Sequence, residues 1–192
     1  MQRVVSGSLG GRKLLSLPRS VTDVRPSSAR VRSAIFDRLQ HEVVGARVLD
    51  LFAGSGALSI EAISRGAARA VLVEQQRELA RFLPGQIDAL GLGGRCEVVH
   101  DDARRYLRRP ATKPAFDLIL VDPPYSALDL YAEVLTLLVG QSWLAPEGVI
   151  VVEYEKHRGA RPAIAVPEQL HCEAVRDHGQ TALEFLRLRD PS

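Results

Sequence analysis

The apolar residues divide the chain from position 46 onward into short strand patterns separated by longer helical ones. The five short apolar runs occupy positions 46–51, 69–74, 95–99, 116–121 and 148–154. Between them, apolar residues recur every three or four positions, as on one face of a helix. Strands that alternate with helices predict a parallel sheet covered by helices on both faces. Two further patterns, 170–177 and 181–188, predict a hairpin, so we expect an α/β, Rossmann-like sheet of seven strands, mostly parallel, with the last antiparallel.

The first 40 residues have a different pattern. Gly10-Gly11 lies before alternating apolar residues and predicts a hairpin, and Ser27 or Ser28 is placed to cap a helix. The apolar positions of that helix are Val31, Ala34, Ile35 and Leu39. We therefore predict a basic N-terminal arm or subdomain over residues 1–40 and a single domain over residues 41–192, a size that suits one well-buried core.

Positive charge is concentrated in this arm. Residues 1–40 contain eight Arg or Lys and two Asp, a net charge of +6, whereas the whole chain has only +2. Clustered Lys and Arg neutralise phosphates and release counterions, so a basic segment on a mildly acidic domain indicates a nucleic-acid partner. We expect the helix arginines to lie on the surface. The residues predicted to contact nucleic acid are Arg3, Arg12, Lys13, Arg25, Arg30 and Arg32.

A glycine-rich loop follows the first strand of the predicted sheet. Gly54 and Gly56 allow a sharp turn and a close approach of a ligand. Ser59 stands where a dinucleotide-binding loop has its third glycine, so a pyrophosphate site fits poorly. Glu74 ends the next strand, where open α/β sheets place an acid for ribose hydroxyls. A nucleoside with a cationic sulfonium, S-adenosylmethionine, fits this pattern, and Asp50 would lie near its charge.

Acidic residues also end the third and fourth strands. Asp102 is placed to accept from an adenine amine or to cap the following helix, and the two roles can coexist. Its neighbour Asp101 is expected to be the more exposed of the two. Because the carboxyl ends of parallel strands meet at one rim of the sheet, Asp50, Glu74, Asp102 and Asp122 should converge there.

The tetrapeptide Asp122-Pro123-Pro124-Tyr125 directly follows the fourth strand. Two consecutive prolines remove two backbone donors and fix an extended turn, so the Asp122 carboxylate and the Pro123 carbonyl can face one pocket. Two acceptors without a donor match the two protons of an exocyclic amine, and Tyr125 offers an aromatic face to a base. This pattern is typical of an amine-methylation site.

Composition narrows the setting. No stretch approaches the roughly 20 apolar residues that a membrane helix needs, and the N-terminal residues have no apolar signal core, so we expect a cytoplasmic protein without a membrane partner. Cys96 and Cys172 are far apart, without a C-x-x-C pattern or paired histidines. We expect neither a metal site nor a disulfide, and we assign both cysteines to packing.

The motifs VLDLFAGSGALSIEA and LILVDPPY, together with RVVSGSLGGRKLLSLPRSVTDVRPSSARVRSAIFDRL, resemble bacterial guanine-N2 methyltransferases that modify small-subunit (16S) ribosomal RNA. The similarity covers nearly the whole chain, and the N-terminal stretch narrows it to this family. The resemblance implies a class I S-adenosylmethionine-dependent methyltransferase fold, S-adenosylhomocysteine as product, and a target guanine at position 966 in the family's usual RNA numbering. The implied partner of the basic arm is this RNA or the 30S particle, and the protein is expected to act as a monomer.

The resemblance also implies roles for individual residues. Asp50, Gly54 and Gly56 would surround the methionine part of the cofactor, Glu74 the ribose, and Asp102 with Ala103 the adenine. The full cofactor-binding set is Asp50, Phe52, Ala53, Gly54, Ser55, Gly56, Glu74, Asp102 and Ala103. The catalytic set is Asp122, Pro123, Pro124 and Tyr125.

Two alternatives stay open. Asp-Pro-Pro-Tyr can hold any exocyclic amine, so an adenine-N6 or cytosine-N4 DNA methyltransferase is the enzymatic rival. The 67 residues after Tyr125 are mostly needed to finish the sheet, which leaves no room for a separate DNA-recognition module. A non-catalytic RNA-binding protein that retains a cofactor pocket is the second alternative, and the intact catalytic motif argues against it.

Overall fold

The computed structural model describes residues 2–21, 27–111, 115–124 and 128–189, which form one sheet with helices on both faces. The strands of the described chain are Arg47–Asp50 (β1), Arg69–Glu74 (β2), Cys96–His100 (β3), Phe116–Val121 (β4), Leu144–Glu155 (β5), Leu170–His178 (β6) and Thr181–Leu188 (β7). The α-helices are Ala29–Arg38 (α1), Ala57–Ser64 (α2), Arg77–Ala89 (α3), Ala103–Leu107 (α4) and Leu128–Gly140 (α5), and Gly7–Leu9 is a 3-10 helix. Among the described helices, none is both long enough and apolar enough to cross a membrane.

The strands lie in the order β3-β2-β1-β4-β5-β7-β6. Strands β1 to β5 are parallel, and β7 is antiparallel to both of its neighbours, β5 and β6. The prediction of seven strands, mostly parallel with the last antiparallel, is therefore confirmed. The chain leaves β1 in one direction to build β2 and β3 and in the other to build β4 and β5. Open α/β sheets bind ligands beyond the carboxyl ends of the strands at such a reversal.

Successive residues of the central strands enter two different cores. Leu118 packs with the core formed by α1, α2 and α3, whereas Ile119 packs with the core formed by α4 and α5. Because helices cover both faces, the strands are continuous apolar runs without alternation, as expected for buried parallel strands. Trp143 belongs to the second core, and its indole nitrogen donates to the Leu107 carbonyl over 3.0 Å.

The N-terminal arm is an ordered hairpin. Arg3 and Lys13 form an antiparallel bridge, and the Val4 amide donates to the Arg12 carbonyl over 2.9 Å. The predicted hairpin around Gly10-Gly11 is thus confirmed, with the 3-10 helix forming part of its turn. Val4 and Leu14 are buried in the core that contains α1, α2 and α3, so the arm is packed into the sheet's helical layer.

Buried polar side chains of α2 and α3 hold the backbone of the arm. The Glu61 carboxylate accepts from the amides of Val5 and Ser6 over 2.7 and 3.0 Å. The Gln86 side-chain oxygen accepts from the Leu15 amide over 2.7 Å. Each bond satisfies an amide of the arm with a group that has no access to water, because Glu61 and Gln86 are both fully buried.

Glycine is required where the arm crosses α2. A Cβ on Gly7 would lie 2.0 Å from the Ser64 carbonyl oxygen, and Gly7 has a φ of +80°. The Ser64 hydroxyl, in turn, accepts from the Leu9 amide over 2.9 Å. The arm therefore approaches the helix as closely as two backbones allow.

Candidate active site

A cavity of about 620 Å³ opens at the carboxyl ends of β1, β2 and β4. It is bounded by the loop after β1, the end of β2, the start of α4, the loop after β4 and the residue before the cap of α1. The lining residues are Ser27, Leu51, Phe52, Ala53, Gly54, Ser55, Ala57, Leu58, Glu74, Gln75, Gln76, Leu79, Ala103, Asp122, Pro123 and Pro124. Segments distant in sequence thus meet where the strand order reverses, the expected place for a ligand.

The loop after β1 lines this cavity with five consecutive residues, Leu51 to Ser55. Gly54 has a φ of +52°, which a side chain would disfavour, and its amide donates to Glu74 over 2.8 Å. Gly56 has a φ of +77°, but a Cβ there would lie 2.9 Å from a methyl carbon of Leu83. Gly56 is not a lining residue, and the left-handed backbone at this cap of α2 is what favours glycine there.

Glu74 lies at the end of β2 and lines the cavity, as the sequence predicted. Its carboxylate accepts from the amides of Gly54 and Gln76 over 2.8 and 2.7 Å. Burial raises the pKa of Glu74, and these amide hydrogen bonds oppose that rise. Since a carboxylate has about four acceptor positions and the Gln75 amide also interacts with Glu74, an acceptor position remains for a hydroxyl group of a ligand.

Asp50 ends β1 one layer behind the cavity wall and is not a lining residue. The Ser59 hydroxyl donates to one of its oxygens over 2.8 Å, and the other oxygen has no hydrogen-bond partner among the described residues. Burial raises the pKa of Asp50 to about 6, and the charge of Glu74 adds to the rise. Asp50 is therefore placed to act on a ligand through its charge and through the loop that it supports.

Asp122 follows β4 and lines the cavity with Pro123 and Pro124. The Ser27 hydroxyl lies 3.3 Å from one Asp122 oxygen and 3.2 Å from a carboxylate oxygen of Glu153. Burial raises the pKa of Asp122 well above its usual range, and the charges of Glu153 and Asp50 raise it further. Tyr125, the fourth residue of the predicted catalytic motif, lies outside the described residues.

Asp102 caps α4. Its carboxylate accepts from the amides of Arg104 and Arg105 over 2.9 and 3.2 Å, so the capping interpretation is confirmed. Ala103 lines the cavity, and Asp102 is not a lining residue. The expectation that Asp101 is the more exposed acid is wrong: only 2% of it is accessible, because it pairs with Arg105 and with Arg109 and accepts from the Asp102 amide.

The predicted nucleic-acid contacts have different surroundings. Arg3, Arg12, Lys13 and Arg30 are exposed, whereas Arg25 lies outside the described residues. The prediction that Arg32 lies on the surface is wrong, because only 1% of this residue is accessible to solvent. Its guanidinium is used inside the protein, donating to the Ser27 carbonyl over 2.5 Å and to the Arg3 carbonyl over 2.8 Å. The assignment of Cys172 to packing is also wrong, since this residue is exposed and does not pack in the core.

Sequence reasoning missed Ser27 and Glu153 as parts of the site. Ser27 was considered as a helix cap, but Ser28 is the residue whose hydroxyl accepts from the Val31 amide. Glu153 is 4% accessible and lies within β5, where an isolated acid in an apolar strand was the only available signal. Gln75, Gln76 and Leu79 extend the cavity wall beyond Glu74.

The cavity has the chemistry of a site for a nucleoside that bears a positive charge. Its two ionisable lining residues, among those described, are the acids Glu74 and Asp122, and no lining residue is basic. Asp50 adds a third acid behind the wall. An anionic phosphate would find no basic group among the lining residues, whereas a sulfonium would favour the ionised forms of these acids. The apolar side chains of Leu51, Leu58 and Leu79 provide a surface for a purine ring.

Similar proteins agree with this geometry. Residues 2–187 match the family described as "Conserved hypothetical protein 95". The Ribosomal RNA small subunit methyltransferase D of Escherichia coli is 38% identical over 173 residues, covering 90% of this chain and 84% of that protein. The protein of the same name from Haemophilus influenzae is 32% identical over 81% of this chain and 80% of that protein.

Solved structures extend the likeness to three dimensions. The structure of yhhF from Escherichia coli has a TM-score of 0.84, 34% identity and 97% coverage of both chains. The structure of TTHA0928 from Thermus thermophilus has a TM-score of 0.78 and 32% identity, and the match covers 98% of this chain and 100% of that one. The SAH-bound methyltransferase PaMTH1 of Podospora anserina, at 15% identity, covers 86% of this chain and 80% of that one and shares the fold with a TM-score of 0.68. The chain therefore belongs to the ribosomal RNA small subunit methyltransferase D family, whose members are S-adenosylmethionine-dependent enzymes of the class I methyltransferase fold.

Proposed function

We propose that this protein transfers the methyl group of S-adenosylmethionine to the N2 amine of a guanine in small-subunit ribosomal RNA. One observation carries the proposal: Asp122, Pro123 and Pro124 line the same cavity as Gly54 and Glu74. An acceptor for an amine and an acid for a ribose thus share one chamber, as methyl transfer between two bound nucleosides requires. The names of the relatives support small-subunit ribosomal RNA as the substrate.

The cofactor, when bound, supplies an electrophilic methyl group on a positively charged sulfur. The protein's task is to hold it and to bring the amine into line. In the proposal, Glu74 binds the ribose hydroxyls, and the loop from Phe52 to Ser55 encloses the methionine part. Asp50 contributes negative charge near the sulfonium.

The amine of guanine is a poor nucleophile because its lone pair is delocalised into the ring. In the proposal, the carboxylate of Asp122 and the carbonyl of Pro123 accept hydrogen bonds from the two N–H groups of the amine and so orient its nitrogen. The target base leaves its stack to enter the cavity, and Tyr125 supports its face. Asp122 serves as a hydrogen-bond acceptor that fixes geometry, and the methylated nitrogen, which is positively charged once its bond to the methyl carbon has formed, loses its proton to water.

The basic hairpin provides the RNA contact in this proposal. Arg3, Arg12, Lys13 and Arg30 are exposed. RNA is commonly recognised by shape and by phosphate contacts, so a folded basic arm beside the cavity suits a prefolded RNA or an assembled particle. Since the arm is packed into the core through Val4 and Leu14, its surface charges can be tested without removing the segment.

The test supplies labelled S-adenosylmethionine with small-subunit particles, naked small-subunit ribosomal RNA or duplex DNA, and identifies the methylated nucleoside. We expect N2-methylguanosine from RNA. Asp122→Ala should lower kcat at least about tenfold with little change in cofactor affinity, because a hydrogen bond to a charged group is lost at the reacting nitrogen. Methyladenine or methylcytosine in DNA would assign the protein to the rival class, and undiminished turnover by the variant would refute the role of Asp122.

A second pair of variants tests the arm. Arg12→Gln combined with Lys13→Gln should raise KM for the RNA and make KM less dependent on salt. The reason is that RNA binding releases fewer counterions when two phosphate contacts are lost. The matched control is Arg176→Gln combined with Arg189→Gln, which removes two exposed arginines at the β6–β7 end of the sheet. An equal effect of the two double substitutions would mean that net charge matters and that the arm is not the specific contact.

A further inference from the structure

Ser27 brings the N-terminal segment into the active-site cavity. It precedes the cap of α1 by one residue and is a lining residue of the cavity. Its hydroxyl lies within hydrogen-bond distance of Asp122 and of Glu153, at 3.3 and 3.2 Å. A hydroxyl has one proton to donate, so Ser27 connects two acids of neighbouring strands through a single group.

The position of Ser27 is fixed from the arm side. Arg32, on α1, donates to the Ser27 carbonyl and to the Arg3 carbonyl, and the Gln2 side chain donates to the Ser27 carbonyl over 3.1 Å. The Arg32 Nε lies 3.9 Å from Glu61, the buried acid that also holds two amides of the hairpin. A continuous set of partly buried polar contacts therefore runs from the hairpin to the hydroxyl at Asp122.

The groups around Asp122 make its charge sensitive to this contact. Glu153 faces it from β5 and Asp50 from the end of β1, and both disfavour its ionised form. Tyr131, on α5, donates its hydroxyl to the Glu153 carbonyl over 3.0 Å. Burial, the strongest influence, raises the pKa of Asp122, and among the interactions with described groups the Ser27 hydrogen bond lowers it.

We propose that Ser27 is a positioning residue for methyl transfer: its hydroxyl, held in place by Arg32 and the hairpin, orients the Asp122 carboxylate and favours the ionised form that accepts from the target amine. This role deepens the proposed function and depends on it. It gives the N-terminal arm a second task besides RNA contact, because the arm's backbone sets the place of the hydroxyl. Arg32 acts through Ser27 and touches neither substrate.

Ser27→Ala tests the proposal, with kcat and the pH dependence of kcat/KM as readouts. We expect kcat at saturating cofactor to fall about tenfold to a hundredfold, as for loss of a hydrogen bond to a charged group. The limb of the profile on which activity falls with decreasing pH should move to higher pH, because the ionised form of Asp122 has lost its donor. Ser27→Thr, which keeps a hydroxyl, should restore both values.

Glu153→Gln should move the acidic limb of the pH profile in the direction opposite to that of Ser27→Ala. Removing this negative charge favours ionised Asp122, so the acidic limb should move to lower pH. The matched control is Ser33→Ala, which removes a hydroxyl from α1 away from the cavity lining and should change neither kcat nor the profile. Urea unfolding of each variant checks that the fold is retained.

The outcomes separate the two proposals. If Asp122→Ala abolishes transfer while Ser27→Ala changes kcat without moving the acidic limb, or changes only the cofactor affinity, the positioning role is refuted and the proposed function stands. If Asp122→Ala leaves transfer intact, the proposed function itself fails. Opposite displacements in Ser27→Ala and Glu153→Gln, with rescue by Ser27→Thr, support the inference.

Discussion

Replacing Asp50 by asparagine should alter how the stability of the protein depends on pH. Burial raises the pKa of Asp50 to about 6, whereas the same group in an unfolded chain has a pKa of about 3.9. The folded state therefore binds this proton more tightly than the unfolded state. The stabilisation is fully present below pH of about 4 and is lost as the pH rises through about 6. A difference of about two units corresponds to about 3 kcal/mol in the free energy of unfolding.

Asp50→Asn removes this titration and keeps an oxygen for the Ser59 hydroxyl. As the pH rises from 5 to 7, the free energy of unfolding of the variant should increase by about 1 kcal/mol relative to that of the parent protein. Over the whole pH range of the Asp50 titration, this relative increase should reach about 3 kcal/mol. New amide protons without acceptors cost about 1 to 3 kcal/mol at every pH, so they change the offset and leave the pH dependence intact. The same substitution should weaken binding of S-adenosylmethionine, because it removes negative charge near the sulfonium.

Urea unfolding of both proteins, without cofactor and at a series of pH values, measures this difference. Asp88→Asn is the matched control, since it makes the same chemical change at an exposed position of α3. Isothermal calorimetry then tests the loss of cofactor affinity. Parallel stability curves for the parent and for Asp50→Asn would show that Asp50 titrates normally and would refute the reasoning.

Three further substitutions test how the arm and the second core are held. Glu61→Ala should lower the free energy of unfolding by about 3 to 5 kcal/mol in urea, because it leaves two arm amides and the Arg65 guanidinium without their acceptor and the buried Arg32 without a counter-charge; a loss below about 1 kcal/mol would contradict this account. Gly7→Ala should accelerate amide hydrogen exchange in the hairpin, since its Cβ would lie 2.0 Å from the Ser64 carbonyl oxygen, and unchanged protection would show that α2 gives way. Trp143→Phe should cost about 1 to 3 kcal/mol of thermal stability by leaving the Leu107 carbonyl unpaired, an effect that calorimetry at the unfolding transition would reveal or exclude.

The strands of the sheet and the residues at their carboxyl ends could be predicted from the sequence, because local patterns specify them. Buried parallel strands are continuous apolar runs, and a parallel sheet gathers its strand ends at one rim. The sequence alone therefore places Glu74 and Asp122 at the same rim of the sheet as the loop that contains Gly54. Their roles in binding and catalysis stay proposals, while their convergence is a property of the fold.

The errors and omissions concern contacts between distant segments. Arg32 was assigned to the surface because a charged helical residue usually lies there, and no local pattern predicts that two carbonyls and Glu61 surround it. Ser27 looked like a capping residue, and its contact with Asp122 spans 95 positions of the chain. Gly56 was assigned to the cofactor; it lies outside the cavity lining, its φ of +77° is what favours glycine, and its role toward the cofactor stays a prediction.

The interior place of β7 has a consequence for the newly made chain. Strand β7 pairs with β5 on one side and β6 on the other, although it is synthesised after the six other strands of the described chain. Until residues up to 188 are available, β5, the strand that carries Glu153, has an open edge and β6 has no partner in the sheet. A chain shortened before β7 would thus carry every residue of the proposed cofactor site and still lack a closed sheet beside its catalytic acid. Such fragments should be recognised by quality control as incomplete, through an exposed strand edge.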